Sequence, residues 1–169
     1  MPEVIRFAWG ISSLGDFIVA VSDSGIVALE FSSLHSDMED TLRGRFPEAD
    51  LRRSEEDLAD VKNVVTRLID DPATDCDLPL DLRGTPYEVG VWLMLREIPA
   101  GQTTTYGALA ARLNTRDPRD VTAAIANNGV AVIVPCHRVI KKDGSISGYR
   151  WGVKRKRTLL DREKRSTEH

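Results

Sequence analysis

The chain has 169 residues, enough for one good hydrophobic core or for two small cores that share an interface. Its 41% hydrophobic and 29% charged residues are typical of a globular protein, and no apolar run approaches the roughly 20 residues that span a bilayer. We therefore expect no membrane span. Two cysteines and three scattered histidines do not make a four-ligand zinc site, so we expect no bound metal either. No apolar signal segment precedes a cleavage-like site, so we expect a cytoplasmic protein, and the start Met1-Pro2-Glu3 is typical of a complete small one.

The charge is distributed unevenly along the chain. The formal net charge is −3, which is unusual for a protein that binds nucleic acid. Residues 1–84 hold 8 Lys and Arg against 18 Asp and Glu, whereas residues 85–169 hold 15 against 8, so the halves carry −10 and +7. This asymmetry predicts that the basic half faces phosphates. A solvated helix face is the competing interpretation for individual basic residues, including the run at 154–157.

The N-terminal part has an alternating pattern followed by two helical ones. Apolar and polar residues alternate over the first 33 positions with turn residues between the runs, which predicts a three-stranded antiparallel meander. Apolar residues at helical spacing predict helices over residues 34–46 and 55–69. Residues 70–80 are the predicted linker, and we divide the chain into an N-terminal domain (1–77) and a C-terminal domain (78–169).

The C-terminal part reads mainly as helices. Pro86 suits the first turn of a helix that ends before Pro99. Thr105 is the predicted N-cap of a helix over 106–113, and Asp117 that of a helix reaching about Asn127. Two short helices joined by a tight turn suggest a helix-turn-helix. Further along, the Asp-Gly pair at 143–144 predicts a hairpin turn, and the last helix begins near residue 152.

A cysteine stands out within Val134-Pro135-Cys136-His137-Arg138-Val139, directly behind the apolar run at 130–133. Free cysteine often behaves as a small buried hydrophobe, which is the competing interpretation. A neighbouring cationic histidine would lower the pKa of the thiol and favour the nucleophilic thiolate. Adjacency in sequence does not establish that His137 faces the sulfur, so both interpretations stay open on this motif alone.

Several further motifs in fixed order accompany the cysteine. They are Leu80-Asp81-Leu82-Arg83-Gly84-Thr85-Pro86, Thr105-Tyr106-Gly107-Ala108-Leu109-Ala110, Arg119, Asn128, Ser147-Gly148-Tyr149-Arg150-Trp151-Gly152 and Glu163. With these motifs the chain strongly resembles the O6-alkylguanine-DNA alkyltransferases, also called methylated-DNA–protein-cysteine methyltransferases. The resemblance is dense over residues 78–165 and is to bacterial members, including the C-terminal half of the adaptive-response methyltransferase-regulator.

The resemblance implies both a fold and a reaction. It implies a ribonuclease-H-like α/β fold without nuclease activity for the N-terminal domain, and a mainly α, winged-helix-like C-terminal domain with a helix-turn-helix. The implied function is DNA repair by single-turnover transfer of an alkyl group from O6-alkylguanine in double-stranded DNA to Cys136, after the base is flipped. The chain would act as a monomer without a cofactor. Acceptance of O4-methylthymine or of larger alkyl groups stays open.

The resemblance also assigns roles to four catalytic residues. Cys136 is the nucleophile, and His137 is the base that takes the thiol proton through a bridging water. Glu163 orients the imidazole in the manner of a nucleophile–base–orienter triad; an ordinary helix-surface carboxylate is the alternative. Asn128 is expected to tie the end of the recognition helix to the cysteine segment, a role that is compatible with a plain helix C-cap.

Two further groups of residues follow from the resemblance. The pocket for the flipped base is assigned to Tyr106, Val139, Tyr149 and Arg150. Contacts to DNA are assigned to Thr105, Arg119, Thr122 and Arg138. Of these, Arg119 is expected to enter the space that the base leaves, with the helix-turn-helix in the minor groove; a generic phosphate contact is the alternative.

The sequence departs from the family pattern on the DNA-facing helix. Asp120 replaces the usual alanine after the arginine, and Thr122 replaces the usual glycine. The interval between Tyr106 and Arg119 is one residue shorter than usual, so that alignment spans a gap. Added bulk and a negative charge near phosphates affect affinity and substrate breadth, though not the chemistry at Cys136.

Two other functions compete with repair. A regulatory protein could flip and flag damaged bases without repairing them, but look-alikes of that kind lack the active cysteine. An unrelated cysteine hydrolase would need an oxyanion hole and a separate histidine, and turnover of an ester would support it. Methyl transfer to Cys136 separates both from the repair hypothesis.

Overall fold

The computed structural model describes residues 2–146 and 148–167. Met1 and Ser147, which belong to sequence features discussed above, lie outside these residues. No helix in the described ranges is both long enough and apolar enough to cross a membrane. Among the same residues no group of three or more His, Cys, Asp or Glu side chains could hold a metal ion.

The N-terminal part is built on a four-stranded mixed sheet. Its strands are β1 (Glu3–Ser12), β2 (Gly15–Ser22), β3 (Gly25–Phe31) and β4 (Ala49–Arg53), in the order β3-β2-β1-β4. Strands β1, β2 and β3 pair antiparallel, which confirms the predicted meander. Strand β4 pairs parallel to β1 at the sheet edge and was not predicted, because its sequence Ala-Asp-Leu-Arg-Arg is short, polar and partly exposed.

Both faces of this sheet are covered. Helix α1 (His35–Arg45) contributes Met38 and Leu42 to a smaller core with residues of one face, such as Ile18. Helix α2 (Ala59–Asp70) lies on the other face, where Phe17 belongs to a larger core that also includes C-terminal helices. Because neighbouring strand residues point to opposite faces, adjacent residues of β2 serve two different cores.

The C-terminal part consists of helices and one small parallel strand pair. Its elements are α3 (Pro86–Leu95), β5 (Thr104–Thr105), α4 (Tyr106–Arg112), α5 (Pro118–Ala126), β6 (Val139–Ile140) and α6 (Val153–Thr167). A single 3₁₀ turn, Cys136–Arg138, lies directly before β6. Since β5 pairs with β6, Thr104 opposite Val139, the start of α4 is held beside the cysteine turn.

The helix starts follow the capping signals in the sequence. Thr85 and Glu88 form a reciprocal capping box at the start of α3. The side chains of Thr105 and Asp117 accept backbone N–H groups at the starts of α4 and α5. The turn at Asp143-Gly144 also forms, with a positive φ of 84° at Gly144. Lys141 N donates to Ser145 O at 3.2 Å across this turn. Strand β6 itself pairs with β5, and the described residues after the turn form no strand that pairs with β6.

Replacing Thr85 by alanine tests the contribution of the capping box. The change removes the acceptor of the Glu88 N–H, a hydrogen bond of 3.1 Å at the start of α3. We expect Thr85→Ala to lower the free energy of unfolding by about 1 kcal/mol, measured by urea denaturation, and Thr85→Ser to retain most of it. Equal midpoints for the alanine and serine variants would contradict this role.

Candidate active site

Asn128 organises the cysteine loop, which we define as residues 127–136. This side chain is 1% exposed and follows the end of α5. Its Oδ1 accepts the N–H of Val130 at 2.9 Å, and its Nδ2 donates to the carbonyl of Val134 at 3.1 Å and to Cys136 Sγ at 3.3 Å. The hydrogen bonds expected between Asn128 and the loop are therefore present, and one of them reaches the sulfur directly.

The cysteine loop is also fixed against the sheet. Backbone hydrogen bonds join Leu29 of β3 to the loop on both sides, from Leu29 N to Gly129 O at 2.9 Å and from Ala131 N to Leu29 O at 2.8 Å. Val132, the residue directly after Ala131, has a φ of +66°. A β-branched residue in the left-handed region carries strain of roughly 1–3 kcal/mol, which persists only where the surroundings impose it. No sequence pattern indicated this conformation, since valine does not favour it.

The thiol of Cys136 is neutral at rest. The residue is 4% exposed, and burial raises the pKa of its thiol to about 11. The hydrogen bond from Asn128 and the positive charges of Lys156 and Arg150 act in the opposite direction and favour the thiolate. The site therefore needs a base to generate the nucleophile, and it surrounds the sulfur with groups that stabilise the anion once it forms.

His137, the residue after Cys136, forms a fully buried pair with Glu163. His137 Nε2 lies 2.6 Å from Glu163 Oε1, and both side chains are 0% exposed. Burial alone would raise the pKa of Glu163, but the hydrogen bonds and charges of His137 and Arg138 outweigh it and hold that pKa below its ordinary value. An ionised carboxylate only accepts hydrogen bonds, so the imidazole proton is assigned to Nε2.

The opposite nitrogen of His137 is suited to accept a proton. Nδ1 is buried and has no protein hydrogen-bond partner among the described residues. Burial lowers the pKa of His137 despite the nearby carboxylate of Glu163, so the ring is neutral near pH 7. The arrangement supplies a general base whose tautomer is set by Glu163.

Arg138 does not lie where a DNA contact requires it. Its guanidinium is buried and donates to Glu163 Oε1 and Oε2 and to the carbonyls of Ile98 and Pro72. The prediction that Arg138 contacts DNA is therefore wrong, because every N–H direction in use points into the protein. Arg138 instead balances the charge of Glu163 and joins the cysteine turn to the end of α3.

Lys156 is a site residue that the sequence analysis missed. It is 0% exposed, its Nζ donates to the carbonyl of Val139 at 2.6 Å, and burial lowers its pKa while the charge of Cys136 opposes that shift. We counted it in a phosphate-facing basic run, but Lys156 and Glu163 lie on the buried face of α6. The seven-residue spacing of these two charges, with Leu159 between them, was the available indication of a buried face.

The residues expected to line the base pocket differ in their burial. Tyr149 is buried, and its ring meets the ring of His137 edge-on at a centroid distance of 6.5 Å. Tyr106 is half-buried, and burial followed by the charge of Cys136 raises the pKa of its hydroxyl, which keeps it a donor. Gly148 lies close to that hydroxyl and has a φ of +64°, a left-handed conformation that favours glycine. Val139 is fully buried within β6.

Arg150, which was expected in the base pocket, forms contacts that join β3 to the cysteine loop. Its guanidinium pairs with Glu30 of β3 at 3.0 Å and donates to the backbone carbonyl of Asn128 at 3.2 Å. Glu30 is itself buried and also pairs with Arg45 at 2.8 Å. Arg150 thus ties the sheet to the cysteine loop and contributes a positive charge near Cys136.

The other three residues expected to contact DNA belong to the starts of helices α4 and α5 or to the exposed face of α5. Arg119, in the first turn of α5, has a side chain that is 90% exposed. Thr122 is exposed on the same helix, and its hydroxyl donates to the carbonyl of Pro118 at 3.3 Å. The hydroxyl of Thr105 is used as the cap of α4. The structure thus joins Asn128 to the sulfur of Cys136 and His137 to Glu163, and it leaves Arg119 and Thr122 on the surface.

Similarity to known proteins identifies the family of the chain. A family model described as "6-O-methylguanine DNA methyltransferase, DNA binding domain" matches residues 86–165. The inducible methylated-DNA–protein-cysteine methyltransferase of Bacillus subtilis is 40% identical over 126 residues, covering 74% of this chain and 70% of that protein. The chain belongs to this methyltransferase family.

Two further proteins are similar to nearly the whole length of this chain. The bifunctional transcriptional activator/DNA repair enzyme Ada of Escherichia coli is 40% identical over 167 residues, which are 97% of this chain and 47% of Ada. The chain thus spans about half the length of the first curated relatives it matches. The crystal structure of Mycobacterium tuberculosis OGT in complex with DNA aligns with a TM-score of 0.77 at 30% identity, covering 95% of this chain and 93% of that one. The α/β fold is therefore shared with that structure.

The pH dependence of thiol alkylation tests the state of Cys136. Because burial raises the pKa of this thiol to about 11, the thiolate fraction is small at pH 7 and rises about tenfold per pH unit above it. In the Cys76→Ser variant, we expect the rate of alkylation by iodoacetamide to keep rising beyond pH 9. The same variant unfolded in urea is the control and should level off near the ordinary pKa of a cysteine. A plateau at that ordinary value in the folded protein would contradict the raised pKa.

Proposed function

We propose that this chain repairs DNA by transferring an alkyl group from the O6 atom of guanine to Cys136, once per protein molecule. The observation that carries the proposal is the contact of Asn128 with the sulfur together with the buried His137–Glu163 pair, whose Nδ1 is left to accept a proton. Relatives of the chain are named methylated-DNA–protein-cysteine methyltransferases, which supports the same reaction.

The fold proposed for this function has two parts. Residues 1–77 form a ribonuclease-H-like α/β domain, and residues 78–169 form a mainly α, winged-helix-like domain that performs both DNA binding and alkyl transfer. Helices α4 and α5 are the helix-turn-helix. The mixed sheet under helix α2 and the short parallel pair β5–β6 support this division.

The first chemical step generates the thiolate. Glu163 keeps one proton on His137 Nε2, and His137 Nδ1 takes the thiol proton of Cys136 through a bridging water. The amide of Asn128 and the positive charge of Lys156 stabilise the sulfur anion. Apart from that bridging water the loop excludes solvent, and it holds the thiolate rigidly behind the carbon–oxygen bond that breaks.

The second step moves the alkyl group and neutralises the leaving base. Sulfur attacks the alkyl carbon, a C–S bond forms, and the C–O6 bond breaks with its electron pair on the guanine. Tyr106 gives a proton to the purine, and the proton held by His137 restores the tyrosine, so guanine leaves neutral. The wall of Tyr149, the backbone at Val139 and the connection through Arg150 shape the pocket. The thioether has no good leaving group, so the cysteine is not regenerated.

Access to the O6 atom requires that the base leave the duplex. Extrusion costs a few kcal/mol of stacking, and the exposed side chain of Arg119 is proposed to fill the vacated space. The N-terminal end of α4 at Thr105 and the exposed face of α5 at Thr122 are proposed to face the minor groove. The substrate is therefore double-stranded DNA that carries an O6-alkylguanine.

Mass spectrometry of the intact protein tests the reaction directly. After incubation with an excess of duplex containing O6-methylguanine, we expect the chain to gain one methyl group and no more, because the thioether is final. The Cys76→Ser variant should gain the same single methyl group, and Cys136→Ser should gain none.

Two outcomes would contradict repair at this site. A wild-type protein that binds the damaged duplex but gains no methyl group would favour the lesion-sensing alternative, for which the carboxylate of Asp120 on the DNA-facing helix is the one supporting feature. Methylation that survives in Cys136→Ser would place the acceptor elsewhere.

A second prediction concerns Asp120, in the first turn of α5 beside Arg119. Its charge is repelled by phosphates, and its position near the helix N-terminus stabilises the helix only modestly. We expect Asp120→Ala to bind damaged duplex more tightly in a titration at fixed salt. Equal or weaker affinity would show that Asp120 does not face the phosphates.

A further inference from the structure

Helix α5 begins with a carboxylate that holds the side chain of the next arginine. Asp117 Oδ1 accepts the backbone N–H of Arg119 at 3.0 Å, as an N-cap does. The same carboxylate also accepts from the guanidinium: Arg119 Nε lies 3.1 Å from both oxygens, and Nη2 lies 2.8 Å from Oδ2. The guanidinium is therefore folded back against the first turn of its own helix.

Two carboxylates lie near the guanidinium of Arg119 and act on it together. Every hydrogen bond described for the Arg119 side chain goes to Asp117, and that side chain is 90% exposed. Asp120 places a second carboxylate in the same helical turn, and its charge adds to that of Asp117 in raising the pKa of Arg119. Arg119 in turn lowers the pKa of Asp117, so both partners are ionised at neutral pH.

We propose that Asp117 determines where Arg119 can enter DNA, because it competes with DNA for the guanidinium. The inference rests on the proposed role of Arg119 in filling the space of the extruded base. Complexes in which Arg119 stays folded back keep the ion pair intact. Complexes in which Arg119 enters the duplex must open it, and they must also move the guanidinium away from two carboxylates.

This competition bears on the class of site that the protein attacks. Opening the ion pair adds a fixed cost to each insertion, on top of the cost of extruding the base. Extrusion is cheapest where pairing is already weak, as at a damaged or mismatched base. At intact G·C pairs the two costs add, so the folded-back state of Arg119 dominates there, whereas at weakly paired guanines the smaller cost of extrusion permits insertion.

Replacing Asp117 by asparagine isolates the competition. Asparagine is as good an N-cap as aspartate but cannot form the charged two-point contact. In a Cys136→Ser background, where the lesion is not consumed, we expect Asp117→Asn to lower the Kd for a duplex with one O6-methylguanine by roughly two- to fivefold, as fits an exposed ion pair. The Kd for the same duplex without the lesion should change less. Fluorescence anisotropy at fixed salt measures both.

A double-mutant cycle separates competition from simple repulsion of phosphates. In the Arg119→Ala background, Asp117→Asn should lose its effect on lesion binding. The matched control is Asp120→Asn, which removes the same charge from the same turn at a residue without a hydrogen bond to Arg119. Asp120 acts on Arg119 by charge alone, so the effect of Asp120→Asn should fall much less than that of Asp117→Asn when Arg119 is removed. Asp117→Ser, which also keeps a cap, replaces the asparagine variant if that variant does not reach the parental melting temperature.

Three results would overturn the inference. The first is an unchanged Kd on loss of the Asp117 charge, and the second is an equal gain with and without Arg119, which means that Asp117 only repels phosphates. The third is an Arg119→Ala variant that binds the lesion as well as its parent, since there is then no insertion to oppose. The repair reaction stays testable in each case, because methyl transfer to Cys136 is read by intact mass in proteins that keep the cysteine.

Discussion

The buried carboxylate of Glu163 is the interaction on which the rest of the site depends. It accepts hydrogen bonds from the imidazole of His137 and the guanidinium of Arg138, neighbours in one short turn. A charge placed in the interior is tolerated only with such partners. The same contacts set the tautomer of His137 and fix α6 against the cysteine turn, while Arg138 extends the connection to the carbonyl of Ile98. Chemistry and packing therefore share one charged centre.

Asn128 provides the second fixed point, at the other end of the cysteine loop. Its amide satisfies loop groups that would otherwise be buried without partners, and it reaches the sulfur as well. Between Asn128 and Cys136 the backbone passes through the left-handed conformation of Val132. Such a conformation persists because the strand contact at Leu29 and the amide of Asn128 hold the loop on both sides. The sulfur of Cys136 is thus positioned by a loop that has little freedom to relax.

The sequence predicted those strands and helix starts that depend on residues close together in the chain. Alternation specified the meander, and Thr85, Thr105 and Asp117 marked helix starts because a cap acts within three residues. Resemblance to a known family pointed to Cys136, His137, Glu163 and Asn128. The edge strand β4 was missed because a partly exposed strand needs no apolar alternation.

Burial of basic side chains was the main feature beyond the reach of sequence. Arg138 and Lys156 look like phosphate ligands in a basic stretch, but both are buried. Arg138 is drawn inward by Glu163, and Lys156 by the carbonyl of Val139. These partners lie 25 and 17 residues away, so no local pattern identifies them, although the spacing of Lys156, Leu159 and Glu163 indicated a buried face of α6. Tertiary contacts decide whether a lysine or an arginine meets solvent or the interior.

The two halves of the sequence carry opposite charges, −10 and +7, so the electrostatic interaction of the chain with a polyanion changes with the distance between them. Far from a duplex the chain is a weak anion and is not drawn toward the polyanion. Within a Debye length, about 8 Å at physiological salt, only the nearest face counts, so an approach with the basic half forward is attractive and the reverse approach is repulsive. Encounters with a polyanion are thereby sorted by the orientation in which the chain approaches.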